Sequence, residues 1–260
     1  MALLLALDVG NTHVTAGVLS GSKILTRWRL GTDRSKTEDE YGLFLYQLFT
    51  ISALDPNDVE GVIIASVVPP LNCIFEKLCR RYFDLEPITV RPGMDTGITI
   101  FYDNPWEVGA DRVVNAAAAH HLYGGPCIIV DFGTATTFDV VSAEGGYLGG
   151  SIAPGITTAT EALFKKAAKL PRIDLIDPGR AIGKNTVASM QAGIVYGFAG
   201  QVDALVRRIR TELEAEAIAI ATGGLAQLVA AQSETIDKVD LDLTLIGLRL
   251  IYERNTRAHE

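Results

Sequence analysis

The chain lacks most of the features that classify a protein quickly, and each absence excludes something. It has three cysteines in 260 residues, Cys73, Cys79 and Cys127. An odd number without metal-ligand spacing argues against a disulfide framework and a zinc site, and is expected of buried reduced thiols in a cytosolic protein. Lysine and arginine never cluster beyond a pair, and the net charge is −8. Nucleic acid is therefore excluded as a principal partner, because binding a phosphate backbone takes concentrated positive charge. No uninterrupted apolar segment reaches membrane-spanning length. Met1 to Leu7 is apolar, but no basic residues precede it and Asp8 interrupts it, so it is expected to be a first strand rather than a leader. His120 and His121 are adjacent and point apart on a helix, which favours packing or solvated roles over metal binding. A Walker A loop, a Rossmann glycine fingerprint and the protein-kinase motif set are all missing.

The composition that remains, 48% apolar and 21% charged, is that of an ordinary globular protein with one large or two small domains. Its organising stretch is Cys127 to Val141. Cys127 to Val130 and Thr137 to Val141 are β-branched and apolar, as in buried strands, and Asp131-Phe132-Gly133-Thr134-Ala135-Thr136 lies between them. Carboxylate, hydroxyls and a glycine that can take positive φ or let a ligand come close suit a phosphate-binding tip. A plain surface turn selects the same residues, so the motif alone decides little.

The motif occurs twice. Asp8-Val9-Gly10-Asn11-Thr12 aligns with Asp131-Phe132-Gly133-Thr134-Ala135 at an offset of 131 − 8 = 123 positions. Each tip is preceded by an apolar strand and followed by two more. In the first half these are Leu3 to Val9, Val14 to Leu19 and Ile24 to Leu30; in the second, Tyr147 to Ile152 is the third. The first half continues with a helix over Thr37 to Ile51, marked by apolar Tyr41, Phe44, Leu45, Leu48 and Ile51, with Thr37 as N-cap. A buried strand over Val62 to Val68 and a helix from Pro69 to about Phe83 follow. The second half continues with a helix from Pro154-Gly155 to about Leu170, a long helix from about Asn185 to Glu216, a strand from Ala217 to Thr222, the turn Gly223-Gly224 and closing helices. An internal repeat of this kind predicts two similar α/β halves, 1–115 and 116–260, with a cleft between them. The helix beginning around Pro105 bridges the boundary, and its alanine run, Ala116 to Ala119, suits close packing.

Phosphoryl transfer needs phosphates held, their charge neutralised and the attacking hydroxyl positioned. Gly10 with Asn11, Thr12 and Thr15, and Gly133 with Thr134, Thr136 and Thr137, could hold a triphosphate from two sides. Asp8 and Asp131 could bind cations, Mg²⁺ being the companion of ATP. Asp111, in the first turn of its helix beside Gly109 and Ala110, either favours the helix dipole or acts as a general base. Gly223-Gly224 would let a purine lie against the backbone.

Several motifs in this order resemble the type III pantothenate kinases of bacterial coenzyme A synthesis. They are Asp8-Val9-Gly10-Asn11-Thr12, Gly109-Ala110-Asp111-Arg112 followed by Asn115, Asp131 to Asp139, Gly149 to Gly155, and Gly183-Lys184-Asn185-Thr186. The resemblance spans essentially the whole chain. It implies a duplicated ribonuclease H-like, actin-like ATPase fold with ATP in the cleft, and transfer of the γ-phosphoryl group to the primary hydroxyl of pantothenate. By position, it implies that Asp8, Val9, Gly10, Asn11, Thr12, His13, Val14 and Thr15 line the ATP phosphates, that Thr134 contacts ATP, and that Asp111 accepts the hydroxyl proton. Gly109, Ala110 and Arg112 would bind pantothenate together with Tyr102 and Thr186, the latter pair at a site shared across an obligate homodimer. Asp131 would hold a monovalent cation, K⁺ or NH₄⁺, while the Mg²⁺ role of Asp8 follows from the wider superfamily. His13 stands where Asn is common. The resemblance thus implies that proton abstraction falls to Asp111, with Asp131 holding a cation.

Two other readings share the fold. A catalytically silent nucleotide-binding regulator is disfavoured by the acidic composition and by a retained Asp111. A polyphosphate phosphatase or sugar kinase is disfavoured by the short chain and by Gly109-Ala110-Asp111-Arg112.

Overall fold

The structure, a computed structural model, describes residues 2–257; Met1, expected in the opening apolar stretch, lies outside them. The chain forms two α/β units. One comprises the described residues up to Ala118 and from Thr244 on, and the other is Ala119–Leu243. The first contains β1 (Leu3–Val9), β2 (His13–Ser20), β3 (Lys23–Gly31), α1 (Glu38–Ile51), β4 (Val59–Ser66), α2 (Pro69–Phe83), the short strands β5 (Ile88–Thr89) and β6 (Thr99–Ile100), and the start of α3 (Ala110–Tyr123). The second contains β7 (Cys127–Phe132), β8 (Ala135–Val141), β9 (Gly146–Pro154), α4 (Ile156–Lys166), α5 (Thr186–Leu213), β10 (Ile218–Gly223), α6 (Ala226–Ala230) and β11 (Lys238–Val239). The closing helix α7 (Leu243–Arg257) returns to the first unit.

The sheets carry the repeat. In the first unit the strands lie in the order β3-β2-β1-β4-β5, and in the second β9-β8-β7-β10-β11. In each, three strands pair antiparallel as a meander and the remaining two join parallel beside the first. Helices packed on both faces of the first sheet bury both faces of β1, which explains why it is apolar without alternation.

Side chains on one face of the first sheet, among them Leu5, Leu7, Val14 and Val18, form a core with Tyr41, Leu45 and Phe49 of α1 and Leu71, Phe75 and Leu78 of α2. The opposite face, with Ala6, Ile63 and Ala65, packs on Val114 and Ala117 of α3 and Leu245, Leu248 and Ile251 of α7. In the second unit Ile128, Val130 and Phe138 pack on Val202 and Val206 of α5 and on Val229 of α6. Each fully buried aliphatic side chain contributes roughly 1.5–3 kcal/mol relative to exposure.

Local chemistry sets the boundaries. Thr37 and Glu40 form a capping box, with Glu40 N donating to Thr37 Oγ1 at 3.4 Å and Thr37 N to Glu40 Oε2 at 2.9 Å. Several expected limits move. β4 ends at Ser66 rather than Val68, because the Ser66 hydroxyl takes the Val68 N–H at 3.2 Å. α4 ends at Lys166 rather than Leu170, since Ala167 is already extended (φ −103°, ψ 108°). α5 runs Thr186–Leu213, with Asn185 as its N-cap and Glu214 as a left-handed C-cap (φ 52°). The helix expected from Pro105 is instead a single 3₁₀ turn, Pro105–Glu107, broken by extended Val108 (φ −78°, ψ 119°) before α3 begins. Of the cysteines, Cys79 and Cys127 are buried, their thiols pushed by desolvation to about 12. Cys73, expected to be buried as well, is exposed.

α3 and α7 touch closely enough to demand a glycine. A Cβ on Gly247 would lie 2.2 Å from the Val114 carbonyl oxygen. Alanine normally favours a helix over glycine by about 1 kcal/mol, yet Gly247→Ala is expected to destabilise the protein by roughly 1–3 kcal/mol, read as a lower urea unfolding midpoint. A raised midpoint would contradict this packing.

Candidate active site

In the first hairpin Asp8 pairs with Thr15 on one side and with Ala65 on the other, and Thr15 pairs in turn with Arg29. Directly opposed residues share a sheet face, so Asp8, His13, Thr15 and Arg29 all stand on the face that carries α3 and α7. Val9 and Val14 alternate into the opposite core, leaving only their backbone at the hairpin. The tip is Gly10 to Thr12. Gly10 N donates to the His13 carbonyl at 3.0 Å, and Asn11 and Thr12 are exposed. Thr32, just after β3, braces the tip twice, through Thr32 N to the Thr12 carbonyl at 3.0 Å and Thr32 Oγ1 to the Gly10 carbonyl at 2.6 Å. His13 Nδ1 lies 2.9 Å from Arg29 Nη2. Burial, and then the Arg29 charge, hold the His13 imidazole below its usual range.

Asp111 is presented by a different device. Asn104 caps the 3₁₀ turn, accepting from Trp106 N at 3.3 Å, and Val108 leads into Gly109. A Cβ on Gly109 would sit 2.6 Å from Asp111 Oδ1, so a side chain there would push the carboxylate out of its present position. Asp111 Oδ1 also accepts the Arg112 N–H at 2.8 Å. Arg112 and Asn115 are buried, Asn115 accepting from Thr244 Oγ1 at 2.7 Å.

Gly109 and Ala110 line a cavity of about 530 Å³ together with Val67, Met94, Thr96 and Trp106, a volume suited to a small ligand. The Asp95 region of its wall is tied to α7 by Arg254 Nε to Asp95 Oδ1 at 2.9 Å and Asn255 Nδ2 to the Asp95 carbonyl at 2.8 Å. Asp111 and Arg112 follow directly on α3, whereas Tyr102 lies between β6 and Asn104 and does not line this cavity.

In the second unit Asp131 pairs with Thr137 and with Thr222. The strands run further towards the tip than expected: β7 continues through Phe132 and β8 starts at Ala135, leaving Gly133 and Thr134 as the turn. Gly133 is outside the left-handed region, and a Cβ there would meet only ordinary contacts, 3.5 Å to the Ala135 carbonyl and 3.8 Å to Asp131 Oδ1. The fold itself therefore does not demand this glycine.

Gly223 is different. Its φ is +91°, and a Cβ would fall 2.5 Å from Asp131 Oδ1, so its backbone closes on the carboxylate. Asp139 is buried, accepting from Tyr147 Oη at 2.6 Å and Thr137 Oγ1 at 3.0 Å. Thr186 opens α5 and lines a groove of about 720 Å³ between α4 and α5, with Leu163, Lys184, Met190 and Ile194.

Sequence reasoning missed the braces. The Thr134 carbonyl accepts from Gly155 N at 3.2 Å and from Thr158 Oγ1 at 2.8 Å. Thr32 does the same work in the first unit, and 155 − 32 = 123, the repeat offset. Carrying that offset past the hairpins would have found the pair.

Two similar sheets, each ending a hairpin in Asp-x-Gly, are the architecture of the duplicated actin-like ATPase fold. Solved structures agree. A ROK hexokinase from Thermus thermophilus aligns over 98% of this chain and 99% of its own, with TM-score 0.52 and 12% identity. A Campylobacter jejuni protein described as a Baf family transcriptional activator aligns over 97% and 99%, with TM-score 0.60 and 20% identity.

Within that fold class, a family model for type III pantothenate kinase matches residues 4–208. A type III pantothenate kinase from Moorella thermoacetica is 54% identical over 254 residues, covering 98% of this chain and 100% of its own. The chain belongs to the type III pantothenate kinase family, a family of ATP-dependent kinases of coenzyme A biosynthesis.

The brace on the second tip can be tested directly. A Cβ on Gly155 would lie 2.3 Å from the Thr134 carbonyl oxygen, so Gly155→Ala should displace the tip. Amide hydrogen exchange in the segment 133–136 is expected to rise at least several-fold while α5 stays protected. Unchanged exchange would show that the brace is dispensable.

Proposed function

We propose that this chain transfers the γ-phosphoryl group of ATP to the primary hydroxyl of pantothenate, giving 4'-phosphopantothenate and ADP, with Asp111 as general base. The observation that carries the assignment is the presentation of Asp111. Its carboxylate occupies the first turn of α3, next to two small residues that open onto a cavity of about 530 Å³. Asp111 follows directly in sequence on Gly109 and Ala110, which line that cavity, while Asp8 and Asp131 stand at the phosphate hairpins. Gly109, Ala110, Arg112 and Tyr102 would hold pantothenate, and Asp111 would accept the hydroxyl proton as the oxygen attacks phosphorus and the bond to the β-phosphate oxygen breaks.

Asp8 to Thr15 in one unit and Thr134 in the other would hold the phosphates of ATP. Gly133, not demanded by the fold, supports a close backbone approach to phosphate. Among the described residues no three His, Cys, Asp or Glu side chains gather into a metal site. A single carboxylate can hold an ion whose shell is completed by phosphate oxygens and water. Asp8 would hold Mg²⁺ in this way and Asp131 a monovalent cation, K⁺ or NH₄⁺. Such ions neutralise phosphate charge.

A homodimer sharing the acceptor site would bring Thr186 from the partner subunit; exposed Ile182 and Val187 flank it on this surface. A cytoplasmic location fits three cysteines without disulfides. No helix of the described residues is long and apolar enough to cross a membrane.

Asp111→Asn is expected to lower turnover by roughly 100- to 10,000-fold while ATP still binds, measured by steady-state kinetics and calorimetry. Near-normal turnover would sink the base assignment. For Asp131, activity is expected with K⁺ or NH₄⁺ and to fall sharply with Na⁺ as the sole monovalent ion. Equal rates in all three salts would remove the cation role.

A further inference from the structure

The first phosphate hairpin is reached by two guanidinium groups that none of the proposed roles uses. Arg29 Nη2 lies 2.9 Å from His13 Nδ1, and Arg34 Nη2 donates to Asn11 Oδ1 at 3.1 Å. His13 and Asn11 belong to the hairpin, whereas both arginines come from β3 and the turn after it, the segment that braces the tip through Thr32. Arg29 is also in register with Thr15 and, through it, with Asp8, so its side chain shares their sheet face. Both arginines are exposed, in a position to meet a ligand at the tip.

The contact with His13 fixes a protonation state. A guanidinium has only donors, so His13 Nδ1 must be the acceptor and carry no proton, leaving the ring hydrogen on Nε2. The same neutral form is favoured by burial and by the Arg29 charge, which both lower the affinity of the ring for a second proton. His13 therefore serves as an acceptor that orients the guanidinium, and an Asn amide oxygen could fill the same place.

Electrostatics supply the reason such groups are needed. The protein carries a net charge of −8, and Asp8 adds a carboxylate at the hairpin itself. The triphosphate of ATP is strongly anionic, and backbone amides and hydroxyls offer only partial charges against it. Full positive charges within reach of the tip offset that repulsion, and a guanidinium fork matches phosphate oxygens in geometry as well as sign.

We propose that Arg29 is a nucleotide-phosphate ligand, seconded by Arg34, and that His13 is a positioning residue that holds Arg29 rather than a direct contact to ATP. The assignment deepens the kinase reading and rests on it. It changes the role of one residue placed among the ATP contacts and adds two that the motifs did not mark.

The test uses the full chain, with ATP and adenosine binding measured by calorimetry and Michaelis constants measured for both substrates. Arg29→Gln is expected to weaken ATP binding by about 10- to 100-fold, to raise the KM for ATP in parallel, and to leave adenosine binding and the KM for pantothenate within about twofold of the unaltered protein. Arg29→Lys, which keeps the charge without the fork, is expected to fall between the two. His13→Leu should weaken ATP several-fold, and His13→Asn, which keeps an acceptor, should lose less than His13→Leu.

If Arg29→Gln and Arg29→Lys both bind ATP as the unaltered protein does, the assignment is overturned while the kinase reading stands. An equal loss for adenosine and ATP would also overturn it, since a phosphate ligand cannot act on a nucleoside. Failure of the unaltered protein to bind ATP would overturn the assignment and the kinase reading together.

Discussion

The register of two antiparallel pairs, β1 with β2 and β7 with β8, is the constraint on which the rest of this structure depends. It sets Asp8 opposite Thr15 and Asp131 opposite Thr137. Side chains alternate along a strand, so a slip of one residue would turn each aspartate into a hydrophobic core and bring a valine or phenylalanine out in its place. Burial of Val9, Val14, Phe132 and Phe138 therefore specifies where the carboxylates stand. The energy that folds the sheets and the placement of the polar groups are one requirement.

Everything near the hairpins is built to keep their tips at that register. Each unit uses the residue after its third strand for the purpose, Thr32 in one and Gly155 in the other, both donating a backbone N–H to a carbonyl of the tip. The turns differ by one residue. Asp8 and Thr15 are seven apart in sequence, whereas Asp131 and Thr137 are six apart. The first tip is consequently longer and has room for Asn11 and Thr12, which stand exposed. Glycines mark where space is rationed: Gly109 against Asp111, Gly223 against Asp131 and Gly247 against Val114 all have neighbours a Cβ would strike. Gly133 has none that close.

The sequence made the repeat legible because a hairpin with Asp-x-Gly at its tip is encoded locally, by residues adjacent in the chain. The three strands of each meander, the Thr37 cap and the Pro69 start to α2 were likewise local signals. Limits set by competing hydrogen bonds were less visible: Ser66 ends β4 through its own hydroxyl, and Val108 interrupts what reads as one helix from Pro105.

Long-range facts were the least legible. Nothing in the periodicity of α7 shows that it closes on α3, although Gly247 carries the reason. The contacts of Arg29 and Arg34 with the hairpin depend on the pairing of β3 with β2, which no motif contains. Family membership, by contrast, was readable from Gly109-Ala110-Asp111-Arg112 and Asp131 to Asp139, because those residues are selected by chemistry rather than by packing. Their placements differ: Asp111 follows the cavity-lining Gly109 and Ala110, and Asp131 stands near the end of β7, close against Gly223.

The most direct measurement of the central claim is ³¹P NMR of the purified full-length protein incubated with ATP, Mg²⁺, K⁺ and pantothenate. The account predicts a new phosphate monoester resonance from 4'-phosphopantothenate, growing in step with ADP and absent when pantothenate is left out. Inorganic phosphate released in place of the ester, or ATP left intact beside pantothenate, would contradict it.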